Sequence, residues 1–426
     1  MKSSNIWAPM QRVSDEMKTN VYGLLGGRLS HSYSPEIHAA FGDYEYRLFE
    51  MPEEDVASFL SSDRFTAINV TIPYKKTVMP YLQEISEEAK KIGSVNTITR
   101  IPGGLRGDNT DYYGFSYMLD KAGIAVTEKK CLILGSGGAS MTALAVVQDR
   151  GGIPVVISRT GENNYENLFL HEDAGVIINT TPVGMYPRNG ESPLDLTLFP
   201  HLAGVADMIY NPCRTALIQQ AQQMGIPAVS GLSMLVAQAK RAAELFFGHP
   251  FPDSLIEEAE KKVRAQKENI VLIGMPGCGK SVAGRALAEL LGFSFVDTDE
   301  EIERIDGRHP AEIIRQDGEQ AFRAIEHTAA ENLGRGSGCV IATGGGIVTR
   351  EENYAPLHQN GTIVFLTRPL EELATGNRPL TASHGVQALY EKRLPLYESW
   401  ADASAACTPD PKKTAEAILR AIGYEI

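Results

Sequence analysis

The feature that most constrains this chain is a glycine-rich loop placed between a strand and a helix. Residues 274–281 read Gly-Met-Pro-Gly-Cys-Gly-Lys-Ser and fit the pattern G-x-x-x-x-G-K-[ST]. The apolar run Ile270–Ile273 predicts the strand, and Val282–Leu291 predicts the helix. Such a loop turns backbone N–H groups toward phosphate oxygens, and the helix adds its positive end. The predicted nucleotide-binding residues are Gly277, Cys278, Gly279, Lys280, Ser281 and Val282.

This loop predicts ATP or GTP binding, with a chance glycine turn as the alternative. Lys280 is expected to neutralise the β- and γ-phosphates, and the Ser281 hydroxyl is expected to ligate Mg²⁺. Short apolar runs separated by helix-period segments recur along the chain and predict α/β layers with mainly parallel sheets. The runs are 21–25, 67–72, 131–134, 155–158, 176–178, 205–209, 270–273, 295–296, 340–342 and 363–366.

Composition excludes several classes of partner. The balance of 40 basic and 53 acidic residues gives a net charge of −13, which argues against general nucleic-acid binding. Five scattered cysteines without a C-x-x-C pair argue against a zinc site or a disulfide framework and favour the reducing cytoplasm. The sequence contains no run of about 18 apolar residues, so it predicts no membrane span. We therefore expect small-molecule partners, and the oligomeric state stays open.

The phosphate loop does not identify the molecule that accepts the phosphate, so other residues in the last third of the chain must indicate it. Asp297-Thr298-Asp299 follows the next predicted strand, with two carboxylates on one side of an extended segment. Arg323 and Glu326 lie one helical turn apart, so the acid can orient the guanidinium toward a ligand carboxylate. Glycines 344–346 let the backbone approach a ligand at a strand end. Arg378 and Arg393 are two further candidate arginines.

Taken in order, the phosphate loop, D-T-D, G-E-x-x-F-R-x-x-E, G-G-G, R-P-L and R-x-P-x-Y closely resemble shikimate kinase over about residues 269–426. The resemblance implies that Asp299, Arg323, Gly345 and Arg393 hold shikimate, with Asp299 at the attacking hydroxyl. It also implies that Asp297 and Ser281 serve Mg²⁺ and that Arg378 is the lid arginine. The lid segment 373–378 is shorter than is usual in that family, and Ala374 stands near the place of a basic residue.

A second nucleotide site is indicated by the turn Gly135-Ser136-Gly137-Gly138-Ala139-Ser140, which follows a predicted strand and precedes a helix. It resembles a dinucleotide turn but departs from plain G-x-G-x-x-G. Beyond the next strand, an NAD site would have an Asp or Glu that binds the ribose 2′-hydroxyl. This chain has Ser158-Arg159-Thr160 there instead. A cation with hydroxyls suits a 2′-phosphate, so NADP is favoured over NAD, the alternative being that Arg159 is only an exposed surface residue.

The predicted N-terminal lobe carries groups suited to oxidising an alcohol. Ser32 and Ser34 bracket an extended turn, and the alternation in Asn69-Val70-Thr71-Ile72-Pro73-Tyr74-Lys75 places polar groups on one face. Asn96 and Asp111 add an amide and an acid. A lysine paired with a carboxylate can take the hydroxyl proton as hydride leaves.

The order S-x-S-P, N-V-T-x-P-x-K, V-N-T, N-T-D, G-x-G-G-A, S-R-T, N-T-T-P-x-G-M, Y-N-P and G-L-x-M-L-V-x-Q closely resembles shikimate dehydrogenase over about residues 20–250. The resemblance implies a catalytic pair, Lys75 and Asp111, with Lys75 as the proton carrier. It implies shikimate contacts from Ser32, Ser34, Asn69, Thr71, Asn96, Asp111, Tyr210 and Gln238. It also implies NADP(H) contacts from Gly135, Gly137, Gly138, Ala139, Ser158, Arg159, Thr160, Gly231 and Met234, with Thr180 near the nicotinamide.

Together these readings predict an N-terminal α/β substrate lobe, a Rossmann-type NADP lobe and a P-loop kinase domain with a parallel sheet, similar to nucleoside monophosphate kinases. A charged helix, Leu255 to about Lys267, is predicted to begin at a capping box, Ser254-x-x-Glu257. The predicted divisions are 1–16, a loose extension; 17–250, with 17–112 and 232–250 as the substrate lobe and 113–231 as the NADP lobe; 251–268, a helical linker; and 269–426, the kinase part.

The function predicted from the sequence is NADPH-dependent reduction of 3-dehydroshikimate to shikimate, followed by ATP-dependent phosphorylation of shikimate. Two alternatives stay open: an active dehydrogenase whose kinase part is weak or structural, and a non-catalytic sensor of the same ligands. Two departures bear on shikimate against quinate preference. Tyr112 stands where the dehydrogenase family usually has glycine, with Gly114 two residues later, and the loop 41–44 is short.

Overall fold

The protein is described from a computed structural model that defines residues 20–29, 32–373 and 385–424. The predicted extension 1–16 and the predicted lid arginine, Arg378, lie outside these residues. Three β-sheets follow one another along the chain, with six, five and five strands, and helices connect most of the strands. The α/β class expected from the alternating runs is therefore confirmed.

The first sheet is mixed, in contrast to the two parallel sheets that follow it. Its β1, β2 and β3 run parallel, but β5 pairs antiparallel with both β3 and β6, in the strand order β2-β1-β3-β5-β6-β4. The antiparallel pair β5–β6 is closed by a tight turn at Gly103, whose φ is +92°. The elements are β1 (Tyr22–Gly26), α1 (Ser34–His38), β2 (Tyr46–Glu50), α2 (Glu53–Ser61), β3 (Ala67–Val70), β4 (Glu84–Ile85), α3 (Glu87–Ile92), β5 (Thr97–Ile101) and β6 (Gly104–Asp108).

The second sheet is entirely parallel, in the order β11-β10-β9-β7-β8. Because β7 lies between β8 and β9, the chain leaves it toward one side of the sheet and later returns on the other, which opens a crevice at its carboxyl end. The elements are α4 (Asp111–Lys121), β7 (Lys130–Leu134), α5 (Gly138–Asp149), β8 (Ile153–Ile157), β9 (Val176–Asn179), β10 (Gly204–Asp207), α6 (Ala216–Gln223), β11 (Ala228–Ser230) and α7 (Leu232–Phe247).

A helix, α8 (Ser254–Lys267), leads into the third sheet, as the sequence predicts. The predicted capping box is wrong, because Asp253 is the N-cap residue and its side chain caps no backbone N–H of the helix. Its carboxylate instead accepts hydrogen bonds from Lys240 at 2.7 Å and Tyr113 at 3.1 Å. The helix therefore begins at a tertiary contact with α7 and α4 rather than at a local cap.

The third sheet is also parallel, in the order β13-β14-β12-β15-β16. Its central strand β12 is fully buried, and the loop 274–281 leaves its carboxyl end. The elements are β12 (Asn269–Ile273), α9 (Lys280–Leu291), β13 (Ser294–Asp297), α10 (Thr298–Asp306), α11 (Pro310–Asp317), α12 (Glu319–Arg335), β14 (Cys339–Ala342), α13 (Tyr354–His358), β15 (Gly361–Thr367), α14 (Val386–Trp400), β16 (Ala403–Ala406) and α15 (Pro411–Ala421). Among the described residues, no helix is both long enough and apolar enough to cross a bilayer.

Candidate active sites

Lys75 and Asp111 form an ion pair where the first sheet meets the second. Lys75 lies in the turn after β3, and Asp111 is the first residue of α4. The Lys75 Nζ lies 2.6 Å from Asp111 Oδ2, and the two side chains are 29% and 18% exposed. The positive end of α4 supports the negative charge of the carboxylate. A partly shielded pair of this kind can hold a proton and pass it to a bound substrate.

Three polar side chains extend this pair along the cleft. Asn96 Nδ2 donates to Asp111 Oδ1 at 2.9 Å and to Thr110 Oγ1 at 3.0 Å. The Thr110 hydroxyl in turn donates to Gln238 Oε1, on α7, at 3.3 Å. The structure thus brings together Lys75, Asp111, Asn96 and Gln238, which are far apart in the chain. Thr110 was not singled out from the sequence, although it lies within the N-T-D motif.

Asn69 belongs to the same hydrogen-bonded chain. Its Nδ2 donates to Thr97 Oγ1 at 3.1 Å, and the Thr97 hydroxyl donates to Asn96 Oδ1 at 3.0 Å. The Tyr46 hydroxyl, from β2, donates to Asn69 Oδ1 at 2.8 Å. Burial raises the pKa of Tyr46 well above its usual value, so this hydroxyl remains a donor. Sequence reasoning missed Tyr46, because no local motif marks it.

A second group of candidate substrate contacts surrounds Tyr33. The Ser32 hydroxyl donates to Ser34 Oγ at 3.1 Å, and the Tyr33 ring between them lies 5.5 Å from the Tyr210 ring. Two hydroxyls and an aromatic pair at one place can hold a small hydroxy acid by its carboxylate. Thr71 follows β3 directly, and its backbone N–H donates to Leu25 O at 2.9 Å.

The glycine turn after β7 has the shape needed to bind a dinucleotide. Gly135 takes φ +105°, and a Cβ there would lie 2.9 Å from Thr180 Oγ1, so both backbone and space require glycine. A Cβ at Gly137 or Gly138 would meet nothing within 4 Å. The N-terminus of α5, with Ala139 in its first turn, is therefore open to a ligand, and its free N–H groups suit a phosphate.

Arg159 lies at the position where the sequence predicts contact with the 2′-phosphate of NADP. It follows β8 and is exposed together with Thr160, while Ser158 is half-buried. Within the described parts of the chain, Arg159 has no ion-pair partner, so its guanidinium can serve a ligand phosphate. Farther along, a Cβ at Gly231 would lie 2.1 Å from Met208 O, so the start of α7 packs directly against the chain after β10. Met234, in the first turn of α7, is half-buried.

The phosphate loop of the third sheet is built as the motif predicts. Gly277 and Gly279 take φ +84° and +107°, conformations that favour glycine. Lys280 lies at the start of α9 and donates to the carbonyl oxygens of Gly274 at 2.9 Å and Met275 at 3.0 Å. Cys278 is buried beneath the loop and does not face the cleft, while Val282 lines it.

The donors available for a divalent cation lie beside this loop. The Ser281 hydroxyl donates to Asp297 Oδ2 at 2.7 Å. The other carboxylate oxygen accepts from the Asp299 N–H at 3.0 Å, which fixes its orientation. The described residues contain no group of three or more His, Cys, Asp or Glu side chains suited to a metal. A hydroxyl and one carboxylate next to a phosphate site fit Mg²⁺, which usually keeps water and substrate phosphates as further ligands.

The opposite wall of the same cleft carries two arginines, of which Arg393 is buried and Arg323 is half-buried. Arg323 donates to Glu326 Oε2 at 2.7 Å and to Glu319 Oε1 at 3.0 Å, and Arg393 donates to Gly345 O at 3.0 Å. The cleft encloses about 610 Å³. Its lining includes Gly277, Gly279, Lys280, Ser281, Asp297, Asp299, Arg323, Glu326, Gly345 and Arg393, so the structure brings the phosphate loop and the predicted acceptor residues together.

Glu326 keeps Arg323 in place at this wall. The carboxylate is fully buried, and burial raises its pKa while the neighbouring Arg323 acts in the opposite direction. A Cβ at Gly346 would lie 2.3 Å from the Arg323 guanidinium, and one at Gly345 would lie 2.5 Å from Pro276. The glycines therefore let both the arginine and the phosphate loop come close to the strand end. Arg378, the remaining predicted residue, lies outside the described residues.

Two family models match the chain. A shikimate kinase model matches residues 276–423, and a model for the shikimate dehydrogenase substrate binding domain matches residues 24–98. These are the two families whose motifs the sequence resembles. Each match falls on the sheet that carries the corresponding site.

Relatives of known sequence and structure agree with the match to the shikimate dehydrogenase model. A shikimate dehydrogenase (NADP⁺) of Clostridium beijerinckii is 38% identical, and the match covers 53% of this chain and 91% of that protein. A crystal structure of a chorismate mutase/shikimate 5-dehydrogenase fusion protein from Clostridium acetobutylicum aligns with a TM-score of 0.56 at 36% identity, covering 58% of this chain and 98% of that one. Shikimate 5-dehydrogenase from Thermus thermophilus, solved with NADP(H) and shikimate, aligns with a TM-score of 0.53 at 30% identity and covers 57% and 99%.

Proposed function

The chain belongs to the shikimate dehydrogenase family and carries a shikimate kinase domain, and from this premise we propose that it catalyses two successive steps on one molecule. The first is reduction of 3-dehydroshikimate to shikimate with NADPH. The second is phosphorylation of the shikimate 3-hydroxyl with ATP. One observation carries the proposal: one chain holds both the Lys75–Asp111 pair and a cleft in which the phosphate loop meets the proposed acceptor residues. A ligand sensor without chemistry would not need the Lys75–Asp111 pair or the phosphate loop.

In the first cleft, Lys75 supplies the proton. The ketone oxygen of 3-dehydroshikimate becomes a hydroxyl, and Lys75 Nζ, 2.6 Å from Asp111 Oδ2, delivers the proton to it. Asp111 and Asn96 orient the ammonium and bind the neighbouring hydroxyls. Ser32, Ser34 and Tyr210 hold the carboxylate end, with Asn69, Thr71 and Gln238 as further contacts. NADPH supplies the hydride.

The cofactor is proposed to lie along the glycine turn and the start of α5. Gly135, Gly137, Gly138 and Ala139 accommodate the pyrophosphate, since a Cβ at either Gly137 or Gly138 would project into open space. Ser158, Arg159 and Thr160 meet the 2′-phosphate, which is the feature that separates NADP from NAD. Gly231, Met234 and Thr180 flank the nicotinamide end.

In the second cleft, the proposed acceptor residues are Asp299, Arg323, Gly345 and Arg393. The two arginines hold the shikimate carboxylate, and Asp299 takes the proton of the attacking hydroxyl. Lys280 offsets the charge of the transferring phosphoryl group, and Ser281 and Asp297 would hold Mg²⁺, which would supply further positive charge there. Arg378 as the lid arginine stays a prediction, as does any effect of the shortened lid on ATP binding.

The proposal includes the division into a dehydrogenase part, 17–250, a helical linker, 251–268, and a kinase part, 269–426. It also includes a cytoplasmic location. The five cysteines support this location, because Cys131, Cys213, Cys278, Cys339 and Cys407 are all free thiols.

Two assays on the purified chain test the proposal. We expect shikimate-dependent reduction of NADP⁺ and shikimate-dependent release of ADP from ATP. Each assay is repeated with quinate in place of shikimate to define the substrate. Lys75→Ala should lower the first activity by about a hundredfold or more and spare the second, because it removes the proton carrier. Lys280→Ala should do the reverse.

Neighbouring lysines provide matched controls. Lys76 and Lys392 are exposed and adjoin Lys75 and Arg393, so Lys76→Ala and Lys392→Ala should leave both activities near the wild-type values. Absence of both activities in the wild type would refute the enzyme proposal. Activity in the first assay alone would favour the alternative of a structural kinase part.

A further inference from the structure

The kinase part holds a loop of the dehydrogenase part through its residues 355–361. The Arg214 N–H donates to Gln359 O at 2.8 Å. The Arg214 guanidinium donates to the carbonyl oxygens of His358 at 2.9 Å and Gly361 at 3.2 Å. The Cys213 N–H donates to Asn360 Oδ1 at 2.9 Å. These bonds run from one loop after β10 to the amino end of β15.

That loop carries Tyr210, a proposed substrate contact. Its two ends are fixed within the dehydrogenase part, because buried Asp207 accepts from the Ile209 N–H at 3.0 Å and from the Thr215 hydroxyl at 2.7 Å. In the middle, Asn211 O accepts one bond from Tyr186 N at 3.1 Å. The contacts of Cys213 and Arg214 with the kinase part therefore supply much of what fixes the middle of the loop.

Asn360 is the central residue on the kinase side. It is 3% exposed, and its own backbone is fixed because its carbonyl oxygen accepts from the Asn269 N–H at 2.7 Å. Its side-chain Nδ2 points back into the kinase part, toward the carbonyl oxygens of Arg335 and Gly336 at 3.4 and 3.3 Å. The acceptor offered to Cys213 is therefore rigid.

The linker helix reaches the other substrate-contacting segment. Lys267, the last residue of α8, places its Nζ 4.8 Å from the centre of the Tyr33 ring. Tyr33 lies between Ser32 and Ser34, and its ring contacts the Tyr210 ring at 5.5 Å. Tyr33, Tyr210, Cys213, Lys267 and Asn360 line one narrow crevice. Two independent contacts from outside the dehydrogenase part thus converge on the same aromatic pair.

We propose that Asn360 and Lys267 are positioning residues for the dehydrogenase reaction, holding the 210–214 loop and Tyr33 in the arrangement that binds shikimate. This inference rests on the proposed function of the first cleft. A loop that is already ordered loses less conformational freedom when the substrate binds. The kinase part is then a structural component of the dehydrogenase's substrate site as well as the next enzyme.

Full-length variants test this inference by the kinetic constants they change. Asn360→Ala leaves the Cys213 N–H without its acceptor, and we expect the KM for shikimate in NADP⁺ reduction to rise about fivefold, the effect of one lost hydrogen bond. Lys267→Met removes the charge over Tyr33 but keeps the chain length, and the KM should rise about twofold. The dehydrogenase kcat, the KM for NADP⁺ and the rate of ADP release should stay near wild type.

Control variants and the pattern of effects decide the outcome. Lys262→Met, on an exposed position of the same helix, and Asn332→Ala, on an exposed position of α12, should change nothing. If Asn360→Ala does not fold, Arg214→Met, which removes the side-chain hydrogen bonds of the loop to the carbonyl oxygens of His358 and Gly361, takes its place. An unchanged KM for shikimate in these variants, or equal losses in both activities, overturns the inference. A wild type that does not oxidise shikimate overturns the proposed function instead.

Discussion

His38 is a buried histidine one layer behind the proposed shikimate contacts. It is 1% exposed, its Nδ1 lies 2.6 Å from the Tyr44 hydroxyl, and its ring stacks 4.1 Å from the Tyr46 ring. Burial lowers the pKa of His38 to about 3, so the folded ring stays neutral. Since Tyr46 holds Asn69, the stack around His38 supports the substrate wall.

This burial predicts a pH dependence of stability. The unfolded chain binds a proton at His38 near pH 6.5, whereas the folded chain does so only near pH 3. The contribution of His38 is therefore complete above about pH 6.5 and falls by about 1.4 kcal/mol per pH unit below it. From pH 7 to pH 5, the wild type should lose about 2 kcal/mol more than His38→Phe, as measured by amide hydrogen exchange of peptides from β1–β3.

Exposed His201 offers the matched control, because His201→Gln should keep the wild-type pH dependence. Equal losses in wild type and His38→Phe between pH 7 and pH 5 would show that His38 is protonated in the folded protein.

Single residues differ in how well the sequence predicts their place. Lys280 and Lys75 were predicted because each stands in a motif of fixed spacing. The structure places Lys75 beside Asp111, and Lys280 donates to the Gly274 carbonyl oxygen within the loop. Tyr46 and His38 could not be predicted, because their contacts join segments with no shared motif. Arg323 was expected to meet Glu326 from helical spacing alone, and the 2.7 Å contact agrees.

At the scale of elements, the packing of α4 against α7 sets part of the first cleft. Gly114, on α4, lies where a Cβ would be 2.6 Å from Met234 O and 3.0 Å from Gln238 Cβ. Glycine here lets the two helices approach closely enough for Gln238 to meet Thr110. The neighbouring Tyr112 points elsewhere, since its hydroxyl donates to Asp149 on α5 at 2.9 Å.

Gly114→Ala should therefore damage the dehydrogenase specifically. The added methyl forces α7 away from α4, at a cost of about 1–3 kcal/mol, and displaces Gln238 and Met234. We expect severalfold higher KM values for both shikimate and NADP⁺, with ADP release unchanged, in steady-state assays. Tyr112→Phe is the control on the same helix, because it removes only an exposed hydrogen bond. If the two variants behave alike, α4 and α7 have more room than the structure indicates.

Elements were predicted unevenly, and the reason is their composition. Continuous apolar runs such as Cys131–Leu134 and Ile270–Ile273 indicated the central parallel strands, which are buried on both faces. The strands β2, β4, β5, β6, β11 and β16 were not among the predicted runs, because they are very short or because polar residues and glycine interrupt their apolar character. Without the β5–β6 hairpin, the mixed character of the first sheet could not be foreseen.

At the scale of the whole molecule, the two clefts lie at different distances from the contact between the two parts. The dehydrogenase side of that contact is the 210–214 loop, next to the substrate site. The kinase side consists of residues 355–361, at the amino end of β15. The kinase cleft begins at the carboxyl end of β12, which spans five residues, or about 13 Å along the strand. No sequence pattern indicated this arrangement, because residues 213 and 360 meet only through the tertiary fold.

Because the kinase cleft opens at the edge of its sheet away from the contact, shikimate made in the first cleft should pass through solvent before reaching the second. An equimolar mixture of Lys75→Ala and Lys280→Ala chains should then form phosphorylated shikimate as fast as the wild type at the same number of intact sites, with the same lag. The wild type should be assayed with an equal amount of the Lys75→Ala/Lys280→Ala double variant, so that total protein is matched. A shorter lag in the wild type would require a direct path between the clefts. Equal lags would mean that shikimate is released into solvent before it reaches the kinase cleft.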